Sequence, residues 1–181
     1  WSWSRGLGDV YKRQLIARLE PENNIEIILD AVSKSNSKAP FLIIGKHDAN
    51  NFGRYLKRKF RKETRIKFMG GIYDINVLNN LRYYSNLYIH GHSVGGTNPS
   101  LLEAMGSNAL ILAHENSFNK YILGEDAFYF KSMNDIKVCL DSISKSNYLH
   151  FVNNNILRVR EKYNWPIINN KYLRLILDKI K

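Results

Sequence analysis

The segment Gly95-Gly96-Thr97-Asn98-Pro99-Ser100-Leu101-Leu102-Glu103 has the residue types of a phosphate-holding turn that runs into a helix. Consecutive glycines let backbone N–H groups approach a ligand closely. Asn98 is a capping residue, Pro99 suits the first helical position, and Ser100 adds a donor at the helix start. An apolar strand at residues 87–89 and a turn at Gly91 precede the segment. Strand, glycine turn and helix N-terminus together form an anion site, because unpaired N–H groups and the helix dipole both favour negative charge. Glu103 follows one turn further on, about 5 Å along the helix, within reach of hydroxyls beside a bound phosphate. A phosphate flanked by hydroxyls describes a nucleotide sugar.

Other residues with chemical potential stand just after apolar runs. Arg18 follows the first of them, and its guanidinium stays charged and offers paired donors to a phosphate; the alternative is a surface arginine paired with Glu20 or Glu22. Lys46, after Gly45, is a second cation at the same kind of position. Glu103 has an alternative too, as a glutamate that complements the helix dipole, worth about 0.3–1 kcal/mol. His90 and His92 alternate at a strand end, a spacing that binds zinc when a third ligand is near, and no third ligand is evident. His92 is a candidate for the donor pocket and His90 is packed or hydrogen-bonded. No Asp-x-Asp pair is present to hold a divalent ion on a diphosphate.

These residues need a scaffold that brings loop after loop to one edge. From residue 15 onward short apolar runs alternate with amphipathic stretches, the pattern of βαβ units and a parallel sheet. Strands are expected at 15–17, 41–44, 66–69, 87–89, 109–113 and 128–130. Helices are expected through Ile25, Ile28, Leu29 and Val32, then at 52–60, 75–84, from Leu101 through Met105, and at 118–123. Three further helices, at 135–144, 147–162 and 165–181, close the chain. The fold class is therefore α/β: a Rossmann-like parallel sheet flanked by helices, with C-terminal helices. Right-handed crossovers place the C-terminal end of every strand on one edge, and Gly45, Gly70, Gly71, Gly95 and Gly96 all fall there.

Size and composition limit the choice of function. The 181 residues make one domain, with 44% hydrophobic residues and apolar runs far shorter than the roughly 20 residues of a membrane span. The single cysteine, Cys139, excludes an internal disulfide and fits a cytoplasmic location. The net charge of +11 reflects in part an abundance of Lys, Asn, Ile and Tyr. The dense run Arg54-Tyr55-Leu56-Lys57-Arg58-Lys59-Phe60-Arg61-Lys62 places its apolar residues on one helical stripe and its cations outward. That face is either simply solvated or drawn to an anionic membrane at the inner face of the cell, at about 1 kcal/mol per cation. Residues 1–14 lack periodicity, carry two of the three tryptophans and resemble translated adapter read-through, so they are set apart as a non-native leader.

Ala17-Arg18-Leu19-Glu20-Pro21-Glu22-Asn23-Asn24, then Phe68-Met69-Gly70-Gly71, then Gly95 through Met105, occur in an order that resembles the C-terminal donor-binding domain of family 4 GT-B glycosyltransferases. The version with Gly-Gly-Thr-Asn-Pro-Ser is most similar to bacterial rhamnosyltransferases of polysaccharide biosynthesis. The resemblance covers residues 15–181, and it implies that the N-terminal acceptor domain is missing and that the isolated fragment is inactive. It implies catalytic roles for Arg18, on the donor diphosphate, and Glu103, on the ribose. Gly45, Gly70, Gly71, His92, Gly95, Gly96, Thr97, Asn98, Ser100 and Leu101 are the further donor-binding candidates. The family's second phosphate cation, a lysine, is absent: Asn23 or Asn24 stands near its place. The family's sugar-facing glutamate is absent as well, since Gly95 occupies that position.

Activity follows as an expectation from the same resemblance. The chain binds a nucleoside-diphosphate sugar, possibilities including dTDP-rhamnose, for retaining transfer to a polysaccharide or lipid-linked acceptor, with no metal and no cofactor. Two rivals are a GT-B-shaped nucleotide-sugar epimerase, which would want catalytic carboxylates and histidines, and a basic nucleic-acid-binding module. The second would need cations interleaved with stacking aromatics, whereas here they cluster on one helix away from the glycine edge. No nucleic-acid partner is expected.

Overall fold

The computed structural model describes residues 12–180. Its strands are β1 (Arg13–Ile16), β2 (Phe41–Ile44), β3 (Ile66–Gly70), β4 (Leu87–His90), β5 (Ile111–His114) and β6 (Phe128–Phe130). They form one sheet of order β3-β2-β1-β4-β5-β6, parallel throughout, the order of a Rossmann sheet. The helices are α1 (Ile25–Lys34), α2 (Asn51–Lys59), α3 (Ile75–Tyr83), α4 (Pro99–Gly106), α5 (Ser117–Leu123), α6 (Met133–Ser142), α7 (Leu149–Lys162) and α8 (Trp165–Ile180). The expected α/β class holds.

Helices cover both faces of the sheet, so its strands are apolar on both sides. Alternation sorts the strand residues between two cores. On one face Leu15, Phe41, Ile43, Leu87, Ile89 and Leu112 pack against α1, α2 and α6. On the other, Tyr88, Ile111 and Ala113 pack against Leu101, Ala104 and Met105 of α4 and Ile122 and Leu123 of α5.

The structure moves several expected boundaries. β1 begins at Arg13, so residues 13 and 14 belong to the sheet and pair with β2 and β4. A polar residue is tolerated there because Gln14 can be satisfied: with its amide turned so that N and O exchange places, it donates to the Leu81 carbonyl at 3.1 Å and accepts from Arg82 N–H at 3.2 Å. Residues 1–11 of the leader lie outside the described residues. β5 starts two residues later than expected, because Asn108 takes the left-handed conformation (φ 60°) and turns the chain first. α6 starts two residues earlier, at Met133, where Ser132 and Asp135 form a reciprocal capping box. A 3-10 turn at Lys145–Tyr148 delays α7 to Leu149.

The long α8 packs mainly against α7 and leaves Trp165, Tyr172, Leu173, Leu175, Ile176 and Leu177 exposed. Among the described residues no helix is long and apolar enough to cross a membrane.

Candidate functional site

β1 and β4 are neighbours in the sheet, yet the chain leaves them toward opposite sides, β1 to β2 and β4 to β5. The loops that follow two such strands diverge and open a crevice at their C-terminal ends, which is where open α/β sheets hold ligands. Here those loops are residues 17–24 and 91–98.

Side chains clip the two loops together. Asn24, itself left-handed at φ 52°, donates from Nδ2 to the Gly91 carbonyl at 2.8 Å. Ser93 donates to the Glu22 carbonyl from its backbone N–H (3.0 Å) and its hydroxyl (2.7 Å). Asn23 is buried and donates to the Arg18 carbonyl at 2.7 Å. The approach is close enough that a Cβ on Gly91 would sit 2.1 Å from the Asn23 carbonyl oxygen. Asn23 and Asn24, which stand where the resemblance places a lysine, are thus structural clips that fix the path of the loop behind Arg18. Arg18 itself is exposed, and among the described residues it makes no ion pair with Glu20 or Glu22.

His92 is held from two directions. Its carbonyl accepts from Asn116 Nδ2 at 3.0 Å and Asn119 Nδ2 at 3.3 Å, and its ring stacks on His90. His90, 1% exposed, has no hydrogen-bond partner on either ring nitrogen. Burial, with His92 beside it, pushes the His90 pKa down to about 3. Burial also lowers His92; the nearby Arg18 guanidinium lowers it further and Glu22 opposes both. The fold therefore brings Arg18 and His92 to one place, and their imidazole member is uncharged.

The glycine loop departs from the sequence expectation in one respect. Asn98 caps α4, accepting from the Ser100 N–H at 2.9 Å and the Ser100 hydroxyl at 2.8 Å on Oδ1, while its carbonyl accepts from Leu101 N–H at 3.0 Å. The Leu101 side chain is fully buried in the core. The first-turn donors of the helix are thus already engaged. Along residues 91–98 only the Ser93 N–H has an acceptor among the described residues, and of the N–H groups left without one, those of Gly95, Gly96, Thr97 and Asn98 stand on the loop directly before the helix. Gly95 has φ 109°, and a Cβ built on Gly95 or Gly96 meets nothing within 4 Å. The open donors are on the loop, with the helix behind it.

Three other candidate glycines have reasons inside the chain. A Cβ on Gly45 would lie 2.2 Å from the Ala17 carbonyl oxygen, Gly70 has φ 74° and accepts from Gly45 N–H at 2.8 Å, and Gly71 lies against the Tyr73 ring. Contacts within the edge account for all three without a ligand.

Glu103 carries an ion pair that the sequence does not announce: its Oε2 is 2.5 Å from Nη2 of Arg82 on α3. Arg82 is 1% exposed and Glu103 44%. Among the described residues no three His, Cys, Asp or Glu side chains converge as a metal-holding group.

Residues 14–146 match the model of the family described as glycosyl transferases group 1. The chain belongs to that family. No curated protein matches this group 1 glycosyltransferase chain by sequence. Among solved structures it is similar to HepE of Anabaena in complex with UDP-glucose, with TM-score 0.81 and 16% identity over 98% of this chain and 51% of that one. It is similar to sucrose-phosphate synthase of Thermosynechococcus elongatus, with TM-score 0.80 and 16% identity over 99% and 48%. The C-terminal domain of a group 1 glycosyl transferase, LpcC of Francisella tularensis, gives 0.68 and 19% over 86% and 87%. The chain thus spans about half the length of HepE and of the synthase, and its fold matches that of the LpcC C-terminal domain. Membership in this family does not favour the nucleic-acid module or the epimerase.

Within this group 1 glycosyltransferase domain the residues that sequence reasoning missed are Arg82, Ser93, Asn116 and Asn119. Asn116 had a signal, since it caps α5 by accepting from Asn119 N–H at 2.8 Å. The others act through contacts between distant parts of the chain, which no local pattern announces.

Proposed function

We propose that this glycosyltransferase domain binds a nucleoside-diphosphate sugar in the crevice between residues 17–24 and 91–98. The observation that supports the reading is the run of N–H groups at Gly95, Gly96, Thr97 and Asn98 that have no acceptor among the described residues, on a loop exposed at residues 95–97 and clipped to the loop of Arg18. Backbone donors in a concave loop suit a phosphate oxygen at short range. Arg18 adds a full positive charge and stabilises the leaving diphosphate. Glu103 takes a hydroxyl of the nucleotide pentose on Oε1, the oxygen that Arg82 leaves open, and the 3′-hydroxyl is the one that ribose and deoxyribose share. Uncharged His92 and the Thr97 hydroxyl face the sugar where Gly95 stands in place of a glutamate.

The finer assignment follows the motif. The donor is a deoxy-sugar nucleotide such as dTDP-rhamnose, transferred with retention and without a metal to a polysaccharide or lipid-linked acceptor. The acceptor is held by a second, N-terminal GT-B domain. The exposed cations Arg58, Arg61 and Lys62 beside α2 support peripheral attachment to anionic lipid at the cytoplasmic face. HepE, solved with UDP-glucose, makes that donor the natural comparison.

Calorimetric titration of the 181-residue chain with UDP, UDP-glucose, dTDP, dTDP-rhamnose and GDP tests the proposal. One nucleotide binds, and Arg18→Ala weakens it by at least about tenfold, as expected when a charged hydrogen bond worth about 1.5–3 kcal/mol is lost. Absence of binding across the panel, or an Arg18→Ala variant that binds as well as the parent, overturns it.

A further inference from the structure

Arg82 is an expensive residue for its place. A guanidinium cannot shed its charge, and a buried one is tolerated only with an anion beside it. Among the described residues its sole carboxylate partner is Glu103, at 2.5 Å from Nη2. Nη1 donates to Asn79 Oδ1 at 3.1 Å and Nε has no partner. Its backbone N–H donates to the Gln14 side chain of β1 at 3.2 Å once that amide is oriented to satisfy both of its groups. Arg82 is thus pinned to the sheet at one end and grips Glu103 at the other.

The pair is asymmetric. Arg82 is 1% exposed while Glu103, on the outer side of α4, is 44% exposed, and among the described residues only its Oε2 is engaged. A methionine or leucine would fill the Arg82 site without any need for a partner. An untethered glutamate would sample several rotamers and give up that freedom on meeting a ligand. One held beforehand does not, and preorganisation of this kind raises affinity without adding a contact.

We propose that Arg82 is a positioning residue for the donor: it holds Glu103 by one carboxylate oxygen and so presents the other to a hydroxyl of the nucleotide pentose. The proposal rests on the donor site described above. It also gives Glu103 a second duty, because loss of the carboxylate leaves a buried arginine unpaired. Glu103→Ala therefore lowers thermal stability as well as binding.

The test is a calorimetric cycle with UDP-glucose, replaced throughout by dTDP-rhamnose where the parent binds that donor instead, on the 181-residue chain, its Arg82→Met, Glu103→Gln and doubly substituted forms, with folding checked by circular dichroism. Each single change weakens UDP-glucose by about tenfold and the double change weakens it no further, since the two residues act as one unit. Inorganic pyrophosphate, which has no pentose, binds Arg82→Met as it binds the parent. Should Arg82→Met not fold, Arg82→Lys carries the same cycle. Losses that multiply in the double variant, or UDP-glucose binding unchanged by loss of Arg82, overturn the proposal and leave the donor site standing. A parent chain that does not bind UDP-glucose or any other nucleotide removes both.

Discussion

The imidazoles of His90 and His92 lie nearly parallel, with ring centroids 4.4 Å apart and planes 13° apart. Tyr88 and His90 share one face of β4, and His92, two residues past the strand's end, continues the row with its carbonyl held by Asn116 and Asn119. Two cations at that distance in a buried site would repel strongly, and burial already disfavours the first.

A pH dependence of stability follows. The His90 pKa falls from 6.5 in the unfolded chain to about 3 in the folded one. Below pH 6.5 the unfolded chain binds a proton that the folded chain refuses, so stability is full above that point and is lost as pH falls. The slope from this one group approaches about 1.4 kcal/mol per pH unit well below 6.5. His92 and His114, both lowered by burial, act in the same direction. The lowered carboxylates Glu26, Glu63, Glu115, Asp135 and Asp141 act only as pH falls below their ordinary values of 4.5 and 3.8. Urea unfolding between pH 7 and 5 reads the histidines, and His90→Phe should flatten the curve by close to one proton; an unchanged slope contradicts the assignment.

Gly91 and Gly96 sit in the same loop for different reasons, and alanine separates them. A Cβ on Gly91 would meet the Asn23 carbonyl oxygen at 2.1 Å and Ile28 at 2.9 Å. Gly91→Ala therefore costs about 1–3 kcal/mol of stability through overpacking. A Cβ on Gly96 meets nothing within 4 Å, so Gly96→Ala changes stability by no more than about 0.5 kcal/mol. It nevertheless weakens nucleotide binding, because the methyl stands where a phosphate must approach. Thermal melts beside calorimetry measure both effects. Gly96→Ala binding a nucleotide as tightly as the parent would place the phosphate elsewhere.

Much of this architecture is legible in local sequence. Phe41-Leu42-Ile43-Ile44 announces a strand buried on both faces, and Asn98-Pro99-Ser100 announces the start of α4. Gly95 and Gly96 announce an open, exposed loop. Arg13 and Gln14 are not legible as strand, because their burial is made possible by partners far along the chain: Leu140 accepts from Arg13 Nη2 at 2.5 Å, and Leu81 and Arg82 satisfy Gln14. Arg82 reads as an ordinary polar position on α3 for the same reason. Its meaning depends on where α4 lies in space. Asn23 and Asn24, which look like the loss of a phosphate cation, are explained only when Gly91 is seen beside them.

The central claim is that a nucleoside diphosphate is held by the backbone of residues 95–98. The most direct measurement is a 15N amide titration of the chain with UDP and with dTDP at constant ionic strength. Large, saturable shifts of the Gly95, Gly96, Thr97 and Asn98 amides are expected on addition of the preferred nucleotide, with smaller ones near Arg18 and Glu103 and little change along α2. Saturable binding that leaves the four loop amides unmoved would contradict it.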